Sequence, residues 1–537
     1  MGTEKINHGI LPNHTMPSLG GRGFLYNTEQ IRAWDQYTIE HEPVKSIDLM
    51  ERAASACTQW LLNNGYQDKK IKIFCGKGNN GGDGLAIARL LYLQHIKAEI
   101  FVVHTSKKGS NDFEENYKRL KLPGVNIHEL KNVSQFPKIA HKEVVIDALF
   151  GSGLNKKPEN IYADLINHIN SSKVDVISID VPSGMFLDKS SLGNTIILAK
   201  TTLTFQSYKL CLLVAENALY FGKAEILDIG LSLSFAKKTK SIFQIITKET
   251  IAAIYKPRNA FAHKGMFGHV LLVAGNKGKM GACVLAAGSC LRSGTGLLTL
   301  NIPDEQFPVL QIAVPEAMAT ARNENIDWSK YTTMGIGPGL GTEEKELLKN
   351  ILLHFKKPIV LDADALNMIA EENINLKSIP ENSVLTPHPK EFERLFGKAA
   401  NDFERINKAI EISKLYPLVI ILKGHRTLIT YKGKGYFNIT GNAGMATGGS
   451  GDILTGIITS LVAQGYPSEQ ATILGVYIHG LSADLALQEQ SMESLLPTDI
   501  INFLGSVFKE IAFYQLRSFQ AFAFQIYTGL CIINATI

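Results

Sequence analysis

The chain has 537 residues, of which 45% are apolar and 20% are charged, with a formal net charge of +5. This length and composition predict two large globular domains, and the weak charge excludes the dense basic surface of a nucleic-acid-binding protein. The six cysteines form no CxxC pair, which argues against a zinc site or a disulfide framework. We therefore expect a cytoplasmic protein without a nucleic-acid partner.

The N-terminal segment 1–23 is polar and has no apolar signal-peptide core, so we expect a disordered extension. Helical spacing of apolar residues begins after Phe24, and a first βαβ unit follows. Its predicted elements are a strand at 71–75, a glycine loop at 76–84, a helix at 85–93 and a strand at 98–103. Such alternation predicts a parallel sheet with ligands at the carboxyl ends of its strands.

The glycine loop satisfies the pattern GxGxxG at 76–81, which alone is a weak signal. The second strand does not end in the acid that holds a ribose in an ordinary dinucleotide fold, since 103–105 reads Val-His-Thr. The loop region carries Asn79, Asn80 and Asp83, more polar side chains than phosphate binding needs. We interpret it as a ligand site, but not as an ordinary NAD site.

Two further apolar strands end in an aspartate and a glycine turn, at Asp147 and at Asp180. Each aspartate alone could be a turn former. Neighbouring strand ends would, however, bring Asn80, Asp147, Asp180 and Ser183 together, and these oxygen ligands suit a hard cation beside a hydroxylated ligand. Periodicity then weakens and lysines accumulate at 236–250, where we predict a linker.

A second α/β domain is predicted from 251 to 512. Its polar strand ends carry His388 between two prolines and the pair Lys423-Gly424, which could contact nucleotide phosphates. A structural role for His388 remains equally open. Asp362 and Asp364 could bind magnesium through water or cap the next helix.

The segment 442–452 reads NAGMATGGSGD and runs into an apolar helical pattern. Its glycines allow positive φ and close approach to a ligand, and the following helix offers free N–H groups to an anion. Asp452 would then act as a general base toward a hydroxyl that attacks phosphorus. The alternative is a simple helix cap.

The chain closes with a predicted helix at 492–509 and an apolar extension at 513–537. A membrane helix needs about 20 predominantly apolar residues. Four polar residues interrupt this stretch at Gln520, Gln525, Thr528 and Asn534, so we predict an appendage rather than a membrane anchor.

Together these motifs closely resemble the bifunctional NAD(P)H-hydrate repair enzymes, over roughly residues 24 to 511. The motifs in the family's order are GNNGGDG at 78–84, DALFGSGL at 147–154, DVPSG at 180–184, HKG at 263–265, GPGLG at 337–341, TPHPKE at 386–391, KGHRT at 423–427 and GGSGD at 448–452. The resemblance implies an α/β protein with two three-layer domains. These are a Rossmann-like epimerase domain at 24–235 and a ribokinase-like dehydratase domain at 251–512.

The resemblance also implies site residues and cofactors. In the first domain it assigns the hydrated cofactor to Asn79, Asn80, Gly81, Gly82, Asp83, Gly151, Ser152, Gly153, Leu154, Asn155, Lys156, Lys157 and Asp180, and K⁺ to Asn80, Asp147 and Ser183. In the second it assigns the S hydrate to Ala282, Gly339, His388 and Asp452, and the nucleotide to Lys423, Gly424, His425, Arg426, Thr427 and Gly451. Asp147 is the candidate for proton or hydroxide shuttling during epimerisation, and Asp452 for deprotonating the ring hydroxyl. ADP as phosphoryl donor, Mg²⁺ and a homo-oligomer complete the expectation.

One position departs from the family's pattern, because Gly275-Asn276 stands where Gly-Ser is usual, and asparagine can still donate to an anion. Two other functions share part of the pattern. A ribokinase-like vitamin or sugar kinase would use its N-terminal domain only as a regulatory binding module. A nicotinamide-nucleotide sensor would bind without turnover.

Overall fold

The computed structural model describes residues 23–104 and 108–534, which form two sheets with helices on both faces. Residues 1–22 of the predicted disordered extension lie outside the described residues. The mixed α/β class and the two-domain, three-layer architecture are confirmed. In both domains the central strands are buried on both faces, which is why they read as continuous apolar runs.

The first domain is built on a seven-stranded parallel sheet of order β4-β3-β2-β5-β6-β7-β8. The strands of this sheet are β2 (Lys70–Cys75), β3 (Ala98–Val103), β4 (Ile127–Leu130), β5 (Glu143–Ala148), β6 (Asp175–Ile179), β7 (Thr201–Phe205) and β8 (Lys223–Leu227). The short strand β1 (Phe24–Leu25) precedes them in the chain and belongs to the second sheet. The helices are α1 (Thr28–His41), α2 (Ser46–Asn63), α3 (Asn79–Leu93), α4 (Asn111–Arg119), α5 (Ile161–Ser171), α6 (Ala218–Phe221) and α7 (Leu233–Lys238). Strand order reverses between β2 and β5, the place where open α/β sheets bind ligands.

The second domain has a larger sheet of order β1-β9-β18-β17-β16-β15-β14-β13-β10-β11-β12. Its further strands are β9 (Phe243–Ile245), β10 (His269–Val273), β11 (Leu297–Ile302), β12 (Met318–Ala321), β13 (Thr333–Ile336), β14 (Ile359–Leu361), β15 (Val384–Leu385), β16 (Val419–Leu422), β17 (Leu428–Tyr431) and β18 (Lys434–Phe437). Its helices are α8 (Lys248–Ile254), α9 (Met280–Arg292), α10 (Phe307–Ala313), α11 (Lys345–His354), α12 (Asp364–Glu371), α13 (Pro389–Phe396), α14 (Asp402–Leu415), α15 (Ser450–Ala463), α16 (Ser468–Ala486) and α17 (Pro497–Asn534). Here the order reverses between β10 and β13.

The segment predicted as a linker, 236–250, carries regular structure. It contains the end of α7, all of β9 and the start of α8. Strand β9 pairs with β18 on one side and with β1 on the other, so the N-terminal strand of the first domain joins the sheet of the second. A three-residue strand is too short to show a period in the sequence, which explains the weak signal.

Two helix boundaries differ from the predicted ones. Helix α3 begins at Asn79 rather than at 85, so most of the predicted glycine loop forms its first turns. Helix α17 continues to Asn534 without a break at 513, because no proline or glycine interrupts 513–528. Within the described part of the chain, no helix combines the length and apolar content needed to cross a membrane.

Candidate functional sites

The first site is a cavity of 730 Å³ at the point where strand order reverses in the first domain. It opens between α1 and the loops that follow β2, β5 and β6. Of the predicted substrate-binding residues, it is lined by Asn79, Asn80, Asp83, Gly151, Ser152, Gly153, Leu154, Asn155 and Asp180. The N-terminus of α3 has no side-chain cap, so its first N–H groups can meet an anion there.

Four of the predicted substrate-binding residues are not among those lining the cavity: Gly81, Gly82, Lys156 and Lys157. The two glycines serve close packing instead. A Cβ on Gly81 would lie 1.8 Å from the carbonyl oxygen of Gly76, and one on Gly82 would lie 2.8 Å from Sδ of Met50. The absence of a side chain at these two glycines lets α3 pack against the end of β2 and against α2. Lys156 and Lys157 are exposed.

Asp147 is fully buried and is not among the residues that line the cavity. Its carboxylate accepts bonds from the Ser183 hydroxyl at 2.5 Å, the Ser183 amide at 2.9 Å, the Ser178 hydroxyl at 2.7 Å and the Leu149 amide at 3.3 Å. Burial raises the pKa of this carboxyl, and the four bonds act in the opposite direction. The geometry suits a residue that fixes neighbouring loops. It gives no support to the predicted proton shuttle, which stays a prediction.

Asn80 has a buried side-chain amide whose surroundings indicate a ligand-binding role. Its side chain is 8% exposed, and neither Oδ1 nor Nδ2 has a hydrogen-bond partner. Buried polar groups are normally satisfied, so a ligand or ion is expected at this amide. Its Oδ1 is a suitable oxygen ligand for K⁺, whereas Asp147 and Ser183 bind each other.

Asp180 and Lys209 form a buried pair at the wall of the same cavity. Asp180 has φ +67°, a region that non-glycine residues rarely adopt, and its Oδ2 accepts the Ser152 amide at 2.9 Å. The Lys209 ammonium lies 3.5 Å from Oδ1 of Asp180 and also donates to the carbonyls of Phe205 and Ser207. Sequence reasoning missed Lys209, because a lone lysine after a strand carries no motif.

Asp35 was also missed by the sequence interpretation. It lies on α1 and lines the same cavity as the predicted motifs. Burial and the charge of Asp180 raise its pKa to about 7, while Lys209 acts in the opposite direction. The helical spacing of 28, 31, 32, 35 and 39 could have identified this face of α1, but an amphipathic helix more often packs on a core.

The second site lies where α15 begins, behind the αL residue Gly449 at φ +100°. Asp452 stands in the first turn, and burial together with Asp362 raises its pKa to about 6, against the opposing effect of Lys423. Lys423 donates to Oδ1 of Asp362 at 2.7 Å. A Cβ on Gly451 would lie 3.5 Å from the Lys423 ammonium. The structure therefore brings Lys423, Gly451 and Asp452 together, as predicted, and adds Asp362.

His388 is the N-cap of α13. Its Nδ1 accepts the amides of Lys390 at 3.1 Å and Glu391 at 3.3 Å, and the Glu391 side chain closes a capping box on the His388 amide. Because Nδ1 accepts, the neutral ring carries its proton on Nε2. His388 thus has a structural role as a helix cap, and its partly exposed Nε2 lies 3.4 Å from Oε1 of Glu391.

Ala282 and Gly339 are neighbours in the second site. Gly339 has φ +60°, and its virtual Cβ would lie 3.2 Å from Cβ of Ala282. In the loop after β16, Thr427 donates to the carbonyl of Gly424 at 3.0 Å and Arg426 to that of Ile439 at 2.6 Å. Burial and Arg426 lower the pKa of His425, so this ring is neutral at pH 7.

The carboxylates near Asp452 do not form a ready-made cage for Mg²⁺. Asp362 is bound by Lys423 and by Thr455, whose hydroxyl lies 2.7 Å from Oδ2. Asp364 accepts the Gly341 amide at 2.8 Å. Among the described residues, no group of three or more His, Cys, Asp or Glu side chains could hold a metal. These carboxylates do fit a Mg²⁺ ion that enters bound to the nucleotide phosphates, which is how proteins usually bind Mg²⁺.

Comparison with known proteins covers both domains. A family model described as NAD(P)H-hydrate dehydratase matches residues 270–505, and one described as YjeF-related protein N-terminus matches residues 46–211. The bifunctional NAD(P)H-hydrate repair enzyme of Coxiella burnetii is 36% identical over 492 residues, 89% of this chain and 98% of that protein. The corresponding enzyme of Escherichia coli is 32% identical over 494 residues, 90% of this chain and 93% of that protein.

Among solved structures, the ADP/ATP-dependent NAD(P)H-hydrate dehydratase of Bacillus subtilis, co-crystallised with ATP and Mg²⁺, is 32% identical. The match covers 50% of this chain and 98% of that one, with a TM-score of 0.46.

Proposed function

The chain belongs to the family of bifunctional NAD(P)H-hydrate repair enzymes, and from this premise we propose how its two sites divide the work. The protein is an enzyme of nicotinamide-nucleotide repair. The first site interconverts the R and S hydrates of NADH or NADPH, an isomerase reaction. The second removes water from the S hydrate, a lyase reaction that consumes a nucleotide.

In the second site, Asp452 takes the proton of the ring hydroxyl as that oxygen attacks the terminal phosphorus of ADP. Elimination of phosphate from the ring then restores NADH or NADPH. The observation that carries this assignment is the meeting of a carboxyl, an ammonium and a helix N-terminus at one point. The helix N-terminus and Lys423 offset the charge of the phosphates, while partial burial keeps Asp452 a better base than an exposed aspartate.

Substrate contacts follow the same assignment. Ala282, Gly339 and Nε2–H of His388 would contact the S hydrate, and residues 423–427 with Gly451 would contact the nucleotide. Mg²⁺ bound to the phosphates would supply charge neutralisation at the transferring group. A nucleotide as co-substrate, ADP rather than ATP, is part of the proposal.

In the first site, the free N–H groups of α3 and the side chains of Asn79, Asn80 and Asp83 would hold the hydrated cofactor against Gly151 and Ser152. Asn80 would hold K⁺ with Asp147 and Ser183, provided that those two exchange one of their mutual bonds for the ion. K⁺ would supply positive charge beside the substrate's hydroxyls. Asp147 keeps its predicted shuttle role only if it becomes accessible.

The test follows the absorbance of reduced nicotinamide during incubation with mixed R and S NADH-hydrate, ADP, Mg²⁺ and K⁺. We expect complete conversion by the wild type and none by Asp452→Asn. Absence of recovery with either ADP or ATP would refute the dehydratase assignment, and the kinase alternative would then predict phosphate transfer to another hydroxyl. A wild type that stops when only the S hydrate is consumed would refute the epimerase assignment.

A further inference from the structure

We propose that Asp35 of helix α1 is the acid–base residue of the epimerase reaction. This proposal rests on the proposed function of the first site. Its geometric basis is the position of α1, which covers the cavity with Ile31, Arg32, Asp35 and Ile39. Asp35 thereby lines the same cavity as Asn80 and Asp180.

An independent sign of a ligand lies in the same cavity. The amide of Asn80 is more than nine-tenths buried and has no partner for either polar atom, although it lines the space that Asp35 faces. A polar group in this state predicts that a ligand occupies the cavity. Asp35 lines the same cavity and would contact that ligand.

The charges around Asp35 come from three elements. Asp180 after β6 raises the pKa of Asp35 and Lys209 after β7 lowers it. Asp83 of α3 is a buried acid whose own pKa is raised by burial, by Asp180 and by Asp35. Lys209 is held in place by Asp180 and two carbonyls. The balance leaves Asp35 with a pKa of about 7, so both of its protonation states are populated at neutral pH. A group in this condition can both give and take a proton.

The other carboxylates of the site are less suited to proton exchange. Asp147 is sealed by four hydrogen bonds. Asp180 is bound to the Ser152 amide and faces the Lys209 ammonium. Asp83 is 8% exposed and lies in the second turn of α3, whereas Asp35 is only partly buried on the wall of the cavity.

The step balances without any further reagent. Protonated Asp35 gives its proton to the hydroxyl oxygen on C6 of the hydrate, and the C6–O bond breaks with its electron pair on oxygen, which leaves as water. The lone pair of the ring nitrogen forms the N1–C6 double bond of a cationic ring. Water then adds to the opposite face of C6, the electron pair returns to nitrogen, and the Asp35 carboxylate accepts the released proton. No atom changes its overall oxidation state.

The experiment uses the full chain with Asp452→Asn, so that dehydration does not remove the hydrate. Pure S NADH-hydrate is incubated in water enriched in oxygen-18. Chromatography then follows the appearance of the R form, and mass spectrometry follows the heavy oxygen in the recovered hydrate. With Asp35 intact we expect equilibration of R and S together with incorporation of the label.

Adding Asp35→Asn should slow both events by roughly 10²-fold or more, the lower range of general acid–base contributions. Asp35→Glu should restore part of the rate, and its pH profile should differ from that of Asp35. The matched control is Glu40→Gln, an exposed acid on the same helix, which should leave both events unchanged. Thermal unfolding of each variant separates a loss of chemistry from a loss of folding.

The outcomes distinguish a failure of the proposed epimerase function from a failure of the role of Asp35. If the Asp452→Asn protein does not epimerise at all, the proposed function of the first site fails and this inference fails with it. If it epimerises and a folded Asp35→Asn variant does so within threefold of that rate, only the role of Asp35 is overturned. Epimerisation without incorporation of the label would overturn the bond-breaking step.

Discussion

The ammonium of Lys423 donates to Oδ1 of Asp362 across 2.7 Å, and this carboxylate is buried to 1% exposure between β14 and α12. Thr455 of α15 donates to its other oxygen at 2.7 Å. Burial opposes ionisation of Asp362, but Lys423 and the hydrogen bonds outweigh it and lower the pKa of the carboxyl. Asp362 therefore positions Lys423 beside Gly451 and Asp452, rather than offering its oxygens to a metal.

Replacing Asp362 by Asn should be strongly destabilising. The substitution removes the nearest countercharge of the Lys423 ammonium and leaves only the Glu391 carboxylate, at 3.8 Å, as an ion-pair partner. Breaking one side of a buried ion pair typically costs about 3–5 kcal/mol. Urea unfolding of the dehydratase domain measures the free energy of unfolding. Glu371→Gln, which breaks an exposed ion pair with Lys345, serves as the control and should cost far less, because solvent screens the pair. Equal costs for the two variants would contradict the positioning role of Asp362.

The sequence could predict where the active sites lie but not how their charges are paired. The alternation of strands, loops and helices was enough to predict that both sites lie at a sheet edge, because parallel strands bring their carboxyl ends to one edge. The pairing of Asp362 with Lys423 joins residues 61 positions apart, and nothing local records it. For the same reason the sequence left two roles open for Asp362, magnesium binding through water and capping of the next helix.

The first site shows a second limit of sequence reasoning. The sequence pattern predicts that Gly81 and Gly82 contact a ligand. In the structure, close contact with Gly76 and Met50 accounts for the need for glycine at both positions. Asp35 and Lys209 belong to no motif, and only the fold brings them to the cavity. The strand β9 was missed because three residues show no period, and its pairing with β1 is non-local.

Dehydration of the S hydrate should become faster as pH rises through about 6. Asp452 has a pKa raised to about 6 by burial and by Asp362, and only its ionised form can accept the proton of the hydroxyl. The pH profile of kcat/KM for the pure S hydrate measures this dependence. A profile that is flat between pH 5 and pH 8 would remove Asp452 from the role of base.

The same carboxyl should make the folded protein less stable as pH rises between about 4 and 6. A raised folded-state pKa means that the native state binds more protons than the unfolded state in this window, so the free energy of unfolding falls with pH. Asp452→Asn removes this effect and should stabilise the dehydratase domain at pH 7 by on the order of 1–3 kcal/mol. Calorimetry at pH 4 and pH 7 compares the two proteins. A variant less stable than the wild type at pH 7 would refute the sign.

Asp147→Asn should destabilise the first domain, whatever its effect on epimerisation. An amide would replace one carboxylate oxygen by an N–H₂ group that faces two donors. These are the Ser178 hydroxyl and the Ser183 amide on the Oδ2 side, or the Ser183 hydroxyl and the Leu149 amide on the Oδ1 side. Leaving buried donors unsatisfied costs about 1–3 kcal/mol each, so a loss of at least 2 kcal/mol is expected. Limited proteolysis of the first domain measures the loss. An unchanged stability combined with abolished epimerisation would instead favour direct participation of Asp147 in the chemistry.

Gly81→Ala should abolish epimerisation by disrupting the packing of α3, while Gly78→Ala should leave the fold intact. A Cβ on Gly81 would lie 1.8 Å from the backbone carbonyl of Gly76, which cannot move without displacing β2. A Cβ on Gly78 meets nothing within 4 Å, and its φ of −87° suits alanine. We expect a cost above about 3 kcal/mol for the first change and below about 1 kcal/mol for the second.

Both variants keep the second domain untouched, so conversion of pure S hydrate provides an internal control for correct folding of the rest of the chain. Thermal unfolding gives the stability of each variant, and conversion of the R hydrate reports the first site. If Gly81→Ala were as stable as Gly78→Ala but no longer bound the hydrated cofactor, Gly81 would be a ligand contact, as the family resemblance implies, and the packing explanation would be wrong.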